Sequence, residues 1–146
     1  MLFGKRERRI VRVLVVEDEP LVAFDTEHFL VSEGYEIVAT LDTVVDAVAV
    51  IEGEEQVDLV LVDVMLSDGS GVDVARCAYA QGVPVIFVTG NFPDEARALA
   101  AGCLAKPYAQ RDLLAAILAV DRVMAGEKPP RRLPASFALF MEPAAG

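Results

Sequence analysis

A chain of 146 residues with 54% hydrophobic and 25% charged side chains has the composition of one ordinary globular domain, which excludes a disordered or fibrous protein. Residues 13–123 carry 20 acidic and 5 basic side chains, a net charge of 5 − 20 = −15, and such an acidic body repels nucleic acid. The sequence shows no membrane-length apolar run and no signal peptide, so we expect a cytoplasmic protein that binds neither nucleic acid nor a membrane.

Strand-like and helix-like segments alternate along the chain. Apolar strands are predicted at residues 11–16, 36–40, 59–62, 85–88 and 103–105. Helices are predicted at residues 20–32, 44–51, 72–80, 93–101 and 110–124. Five strand-helix repeats of this length indicate a parallel sheet with helices on both faces, which is a doubly wound α/β fold.

Acidic residues follow the first and third predicted strands. The doubly buried strand at residues 59–62 ends abruptly in Asp63, and the first strand ends in Glu17 and Asp18. In an open parallel sheet, ligands collect beyond the carboxyl ends of the strands, so Asp63 is placed for function. If the two strands are neighbours, about 4.8 Å apart, the three carboxylates share one pocket.

Such a carboxylate cluster needs a cation or protons. Two like charges about 4 Å apart repel by roughly 4 kcal/mol at an effective dielectric constant of 20. Mg²⁺ suits a site of one or two carboxylates, a backbone carbonyl and waters, so we expect this ion. For Glu17 and Asp18 alone, the alternative is a solvated turn that the dipole of the following helix favours.

Two further residues end the fourth and fifth strands. Thr89 would direct a hydroxyl at the same crevice, and Lys106, before Pro107, would direct an ammonium there. Taken singly, Thr89 is also a common turn residue and Lys106 a common solvated side chain. The bond before Pro107 is a candidate for the cis isomer. The acid pair Glu17-Asp18 and the residues Asp63, Thr89 and Lys106 stand at four strand ends, and this coincidence favours a functional pocket.

The order Glu17-Asp18, Asp63, Thr89 and Lys106-Pro107 resembles the receiver domain of two-component response regulators, the CheY-like family, over about residues 10–124. The resemblance implies a flavodoxin-like, five-stranded parallel sheet in the order 2-1-3-4-5. It also implies that Asp63 accepts a phosphoryl group from the phosphohistidine of a sensor histidine kinase or a histidine phosphotransfer protein.

The resemblance assigns the other roles as well. Glu17, Asp18, Asp63 and the backbone carbonyl of Met65 would surround Mg²⁺. Thr89 would bind a phosphoryl oxygen, Lys106 would pair with the phosphorylated carboxylate, and Gly90 would leave room for the phosphoryl group. The face affected by phosphorylation would run from about residue 93 to residue 123.

The chain also departs from the family pattern. Cys103 stands where most receivers carry a switching aromatic residue, and Tyr108 is either a substitute or a packing residue at a helix start. Residues 87–91 partly match a single-domain subgroup marked by Phe-Ala-Thr-Gly. Met65 and Asn91 would tune the phosphoryl lifetime, or else only fill loops. His28 is expected to be a partly exposed helix residue, so the phosphohistidine would come from another protein.

The predicted organisation is a basic N-terminal extension at residues 1–9, the receiver at residues 10–124, and a proline-rich linker with an apolar tail at residues 125–146. Residues 136–141, SFALFM, are either a frayed tail or a segment that docks on its own receiver or on a second subunit. A homodimer would form through this tail or through the face at residues 93–123.

The sequence therefore predicts a single-domain response regulator that signals through protein contacts or acts as a phosphate sink. It would be a phosphoacceptor switch and not an enzyme, apart from catalysing its own phosphorylation and dephosphorylation. The alternatives are a small Mg²⁺-dependent phosphatase with Asp63 as nucleophile, and an unphosphorylated adaptor. A phosphatase of this kind needs a carboxylate two residues after the nucleophile, where this chain has Met65.

Overall fold

The computed structural model describes residues 8–142, so residues 1–7 of the predicted extension and residues 143–146 of the predicted tail lie outside the described residues. The strands are β1 Arg12–Val16, β2 Glu36–Leu41, β3 Leu59–Val62, β4 Met65–Leu66, β5 Gly69–Ser70, β6 Val85–Thr89, β7 Gly102–Ala105 and β8 Phe137–Leu139. The helices are α1 Pro20–Ser32, α2 Val44–Ile51, α3 Gly71–Ala80 and α4 Gln110–Met124, with a 3₁₀ helix at Asp94–Leu99.

The central sheet has the strand order β2-β1-β3-β6-β7-β8. Its first five strands are parallel, and this confirms the predicted doubly wound fold and the predicted order of the five main strands. The short strands β4 and β5 form a separate antiparallel hairpin after β3. None of the described helices is both long and apolar enough to cross a membrane.

The core has two layers because strand side chains alternate between the two faces of the sheet. On one face, alternate residues of the strands pack with apolar residues of α1 and α4, such as Leu30 and Ile117. On the other face they pack with residues of α2 and α3, such as Ile51 and Val74. This arrangement leaves the carboxyl ends of the strands uncovered by helices and available for a site.

The predicted helix at residues 93–101 is a shorter 3₁₀ helix. Ala100 has an extended backbone, with φ −122° and ψ 151°, and the amide of Ala101 already donates to Val85 O at 2.8 Å. Six residues therefore remain for the helix, and segments this short are where 3₁₀ geometry is common.

The apolar tail is not frayed: it docks on its own receiver and adds β8 antiparallel to β7. The amide of Ala105 donates to Ser136 O at 2.8 Å, and the amide of Phe140 donates to Ala101 O at 2.7 Å. Gly102 permits this pairing, because a Cβ there would lie 2.6 Å from both Ala138 O and the Phe137 ring. The sheet therefore gains a sixth strand that was not among the five predicted.

Candidate functional site

The site lies where the parallel strands end together. Val16 pairs with Val62 in register, and the amide of Asp63 donates to Val16 O at 3.0 Å. The residues that follow β1 and β3 therefore emerge side by side. The amide of Lys106, just after β7, donates to Thr89 O at 3.0 Å and aligns the next two strand ends.

Four carboxylates meet at these strand ends. Glu17, Asp18, Glu19 and Asp63 each place an oxygen within 4.8 Å of the others. Asp63 and Glu17 are buried, with 7% and 6% of their surfaces exposed. Hard oxygen donors at this density are the donor set that a divalent cation such as Mg²⁺ prefers, so the residues fit the predicted ion. Glu19 was not among the predicted site residues, although its position directly after Glu17-Asp18 could have indicated it.

Lys106 neutralises much of this cluster. Its Nζ lies 2.7 Å from Asp63 Oδ2, 2.9 Å from Glu17 Oε1 and 2.8 Å from Glu19 Oε1. Burial alone would lower the pKa of Lys106, but hydrogen bonds to the three carboxylates outweigh it and raise the pKa. Burial raises the pKa of Glu17, and the bond from Lys106 offsets only part of that rise. The ammonium is therefore firmly charged.

The bond before Pro107 is cis. Of the predicted pocket residues, the acids Glu17, Asp18 and Asp63 and the base Lys106 come together.

Thr89 is buried at the end of β6, and its hydroxyl contacts the following loop: Oγ1 lies 3.2 Å from Asn91 N and 3.3 Å from Asn91 O. Its role in binding a phosphoryl oxygen stays a prediction.

The loop after Asp63 is held by backbone contacts. The amide of Met65 donates to Asp63 Oδ1 at 3.0 Å, and the amide of Gly71 donates to Val64 O at 2.6 Å. A Cβ on Gly71 would collide with the carbonyl oxygen of Asp63. The sequence indicated only a turn here, and the glycine beside Ser70 was the available signal for this close approach. Gly71 therefore determines how Asp63 is presented.

Other predicted modulators surround the site at different depths. Met65 is 74% exposed, and Gly90 and Asn91 are also exposed, so all three can contact solvent or a partner. Cys103 is buried, and burial raises the pKa of its thiol to about 11. Tyr108 packs on the α1 and α4 side of the core, and its hydroxyl lies 3.3 Å from that of Thr26, as expected for a packing residue.

His28 lies exposed on α1, with its ring centroid 4.1 Å from that of Phe24. It is not part of the carboxylate cluster.

Comparisons with known proteins match the same part of the chain. The family profile described as "Response regulator receiver domain" matches residues 13–118. The chain is 33% identical over 110 residues to the phyllosphere-induced regulator PhyR of Methylorubrum extorquens, which covers 72% of this chain and 41% of the relative. It is 37% identical over 118 residues to the transcriptional regulatory protein PdtaR of Mycobacterium tuberculosis, covering 76% of this chain and 57% of the relative.

Solved structures show the same fold. A CheY-like response regulator receiver domain from Methanospirillum hungatei JF-1 superposes with a TM-score of 0.64 at 30% identity, covering 72% of this chain and 88% of that one. A chemotaxis response regulator CheY4 of Vibrio cholerae superposes with a TM-score of 0.67 at 24% identity, covering 76% and 98%. The chain therefore spans most of these receiver structures, but only 41% and 57% of the two curated relatives.

Proposed function

The chain belongs to the response regulator receiver family, and from that premise we propose that it accepts a phosphoryl group on Asp63 in a two-component phosphorelay. The observation that carries the proposal is the contact of 2.7 Å between Lys106 Nζ and Asp63 Oδ2 inside a cluster of four carboxylates. A buried carboxylate at the ends of parallel strands can act as a nucleophile, and the charged lysine that faces it stabilises its negative charge.

The phosphoryl donor would be the phosphohistidine of a sensor kinase or of a phosphotransfer protein. A carboxylate oxygen of Asp63 attacks the phosphorus, the P–N bond breaks, and the imidazole nitrogen keeps the electron pair and takes a proton from solvent. The product is an acyl phosphate on Asp63. Hydrolysis reverses the modification, because water attacks the phosphorus and the P–O electron pair returns to the carboxylate, which releases inorganic phosphate.

The residues of this chain would supply position and charge for the transfer. Glu17, Asp18, Asp63 and the carbonyl of Met65 would hold Mg²⁺, which neutralises charge on the transferring group when it is bound. Lys106 keeps its position against Asp63 and stabilises the added negative charge. Thr89 would turn its hydroxyl from Asn91 toward a phosphoryl oxygen. Positioning and electrostatics of this kind account for most of the catalysis in phosphoryl transfer.

The phosphatase alternative lacks the carboxylate expected two residues after the nucleophile. An enzyme that turns over external phosphoesters with an aspartyl nucleophile needs a nearby acid to protonate the leaving group. Two residues after Asp63 the chain has Met65, whose side chain is 74% exposed and cannot donate a proton. The output would instead consist of protein contacts or of draining phosphate from a kinase. The stand-alone character and the Phe-Ala-Thr-Gly subgroup stay predictions.

Incubation with acetyl phosphate and MgCl₂, followed by intact-mass spectrometry, tests the proposal. We expect one phosphoryl group per chain, lost in Asp63→Asn and retained in Asp73→Asn, a matched control at an exposed aspartate on α3. Continued release of phosphate from an external phosphoester would favour the phosphatase. A chain that stays unmodified at saturating donor would favour the adaptor and contradict the proposal.

A further inference from the structure

The C-terminal tail covers an edge of the sheet that would otherwise be open. The carbonyl of Ser136 accepts from the amide of Ala105 at the end of β7, and the amide of Phe140 donates to the carbonyl of Ala101 just before β7. Leu139 lies opposite Gly102 between them. An open edge strand offers unpaired N–H and C=O groups to any extended peptide. The tail therefore occupies a surface that suits strand addition.

An aromatic stack anchors the tail on one face of the sheet. The ring centroid of Phe140 lies 5.3 Å from that of Phe92, which lies 5.5 Å from that of Phe87 in β6. The guanidinium of Arg97 lies 4.5 Å from the centroid of the Phe140 ring. Phe137 and Leu139 pack on the opposite face. Phe92 is thus the contact that joins the tail to the loop after β6.

The same loop is tied to the candidate site. The Thr89 hydroxyl makes both of its contacts with the backbone of Asn91, the residue directly before Phe92. The path of the loop that carries Phe92 therefore depends on where the Thr89 hydroxyl points. The tail also meets the site along β7, whose last amide, that of Ala105, pairs with the tail one residue before Lys106.

We propose that the edge of β7 is an acceptor surface for an extended peptide, that residues 136–141 of this chain occupy it in the resting state, and that modification of Asp63 opens it. The inference rests on the function proposed above. A phosphoryl oxygen on Asp63 competes with Asn91 for the Thr89 hydroxyl. When the hydroxyl leaves Asn91, the loop no longer holds Phe92 against Phe140, and the tail strand loses the aromatic contact that joins it to this loop.

Hydrogen exchange of the full chain with and without beryllofluoride, a phosphoryl mimic, in MgCl₂ tests the release. We expect the amides of Ala105 and Phe140 to exchange at least about fivefold faster in the beryllofluoride form, the lower end of typical coupling between two sites. The amide of Val60 in the centre of the sheet, which donates to Pro84 O at 3.0 Å, is the internal control and should not change. Unchanged exchange at Ala105 and Phe140 would overturn the inference.

Two tail variants distinguish the effect of the contact between Phe140 and Phe92 from a general weakening of the tail strand. Phe140→Ala removes the contact with Phe92, whereas Leu139→Ala shortens a side chain on the other face of the sheet. We expect Phe140→Ala to abolish the response of the Ala105 amide and, because coupling is reciprocal, to bind beryllofluoride at least about fivefold more tightly. Leu139→Ala should keep the response. Equal behaviour of the two variants would contradict the link.

A labelled peptide of residues 134–142, added to the full chain with its native sequence, tests the acceptor surface without substituting any residue of that surface. We expect the peptide to bind at least about fivefold more tightly in the presence of beryllofluoride, and equal affinity in both states would contradict the proposal.

The ¹⁹F spectrum of bound beryllofluoride, with Asp63→Asn as control, separates the proposed function from the proposed release of the tail. Absence of a bound signal refutes the proposed function, whereas a bound signal with unchanged tail amides refutes only this inference.

Discussion

At the scale of single residues, Lys106 balances the charge of the candidate site. Three carboxylates lie 2.7–2.9 Å from its Nζ, and two of them, Glu17 and Asp63, are buried. A buried carboxylate whose charge partner is removed bears an uncompensated desolvation cost. The lysine is therefore as much a structural requirement of the resting site as a partner for the phosphorylated one.

Lys106→Met keeps the apolar stem and removes the charge. We expect the free energy of unfolding in the absence of divalent ions to fall by about 3 kcal/mol, the lower end for breaking a buried ion pair. MgCl₂ should stabilise the variant more than it stabilises the native chain, because the cation takes over part of the neutralisation. Urea unfolding measures both quantities, with Lys128→Met at an exposed position as control. A variant as stable as the native chain would contradict the role of Lys106.

Asp58 makes a second residue-scale contribution, at the opposite end of the sheet. Its Oδ2 accepts from the amides of Val11 at 3.0 Å and Arg12 at 2.9 Å, and its Oδ1 accepts from Gln56. Burial alone would raise the pKa of Asp58, but these bonds outweigh it and lower the pKa below its ordinary value. The carboxylate therefore holds the start of β1 against the segment before β3.

The direction of this shift gives a pH dependence. A carboxyl whose pKa is lower in the folded than in the unfolded state stabilises the fold fully above the unfolded value, and the stabilisation is lost as the pH falls through the folded value. We expect the native chain to exceed Asp58→Asn in stability at pH 6, and the difference to shrink below about pH 4. Urea unfolding from pH 6 to pH 2.5 measures it. A stability difference that stays constant with pH would show that the charge of Asp58 does not contribute to stability.

At the scale of elements, the segment from β3 to α3 presents the nucleophile. Asp63 directly follows β3, and the β4-β5 hairpin turns the chain back. Helix α3 begins at Gly71 with Ser70 as its N-cap, whose side chain accepts from the amide of Val72. The return brings Gly71 against the backbone of Asp63, where only a residue without Cβ fits. The start of α3 and the position of Asp63 are thus coupled.

Gly71→Ala tests this coupling. Because its Cβ would overlap the Asp63 carbonyl, we expect a loss of about 1–3 kcal/mol in the free energy of unfolding, typical of overpacking, together with slower phosphorylation by acetyl phosphate. Gly69→Ala, in the same hairpin, is the matched control, because a Cβ there meets only Val44 Cγ2 at an ordinary 3.5 Å. Equal stability and equal phosphorylation of the two variants would exclude the close approach as the cause.

At the scale of the whole molecule, excess negative charge opposes compactness. The formal net charge is −10, and residues 13–123 alone carry −15 from 5 basic and 20 acidic side chains. Self-repulsion of this kind weakens when salt screens it, because the Debye length is about 30 Å at 0.01 M and about 10 Å at 0.1 M ionic strength. The acidic body also favours partners with basic contact surfaces.

We therefore expect the thermal midpoint to rise between 10 mM and 300 mM NaCl, two concentrations at which the Debye length differs by about fivefold. MgCl₂ at matched ionic strength should raise it further and in a saturable way, because a specific site fills. In Asp63→Asn the saturable part should shrink while the response to NaCl remains. Identical curves for the two salts in the native chain would refute a specific magnesium site.

Several features follow from the sequence alone because their causes are local. The periods of two and of about 3.6 residues in the apolar pattern determine strands and helices, and hence the doubly wound class. A carboxylate that interrupts a buried strand marks Asp63, and the acids after β1 mark Glu17 and Asp18. The receiver resemblance combined these local signals and indicated the strand order correctly.

Other features depended on contacts between distant parts of the chain. The alignment of Lys106 with Asp63, the turn of Thr89 toward Asn91, and the clearance at Gly71 arise only when separate strand ends meet. The three-residue strand β8 has no periodicity to reveal it, and it forms because β7 offers an open edge. Short-range patterns determine local conformation, whereas pairing depends on which partner the rest of the fold brings close, and only the tertiary structure decides that.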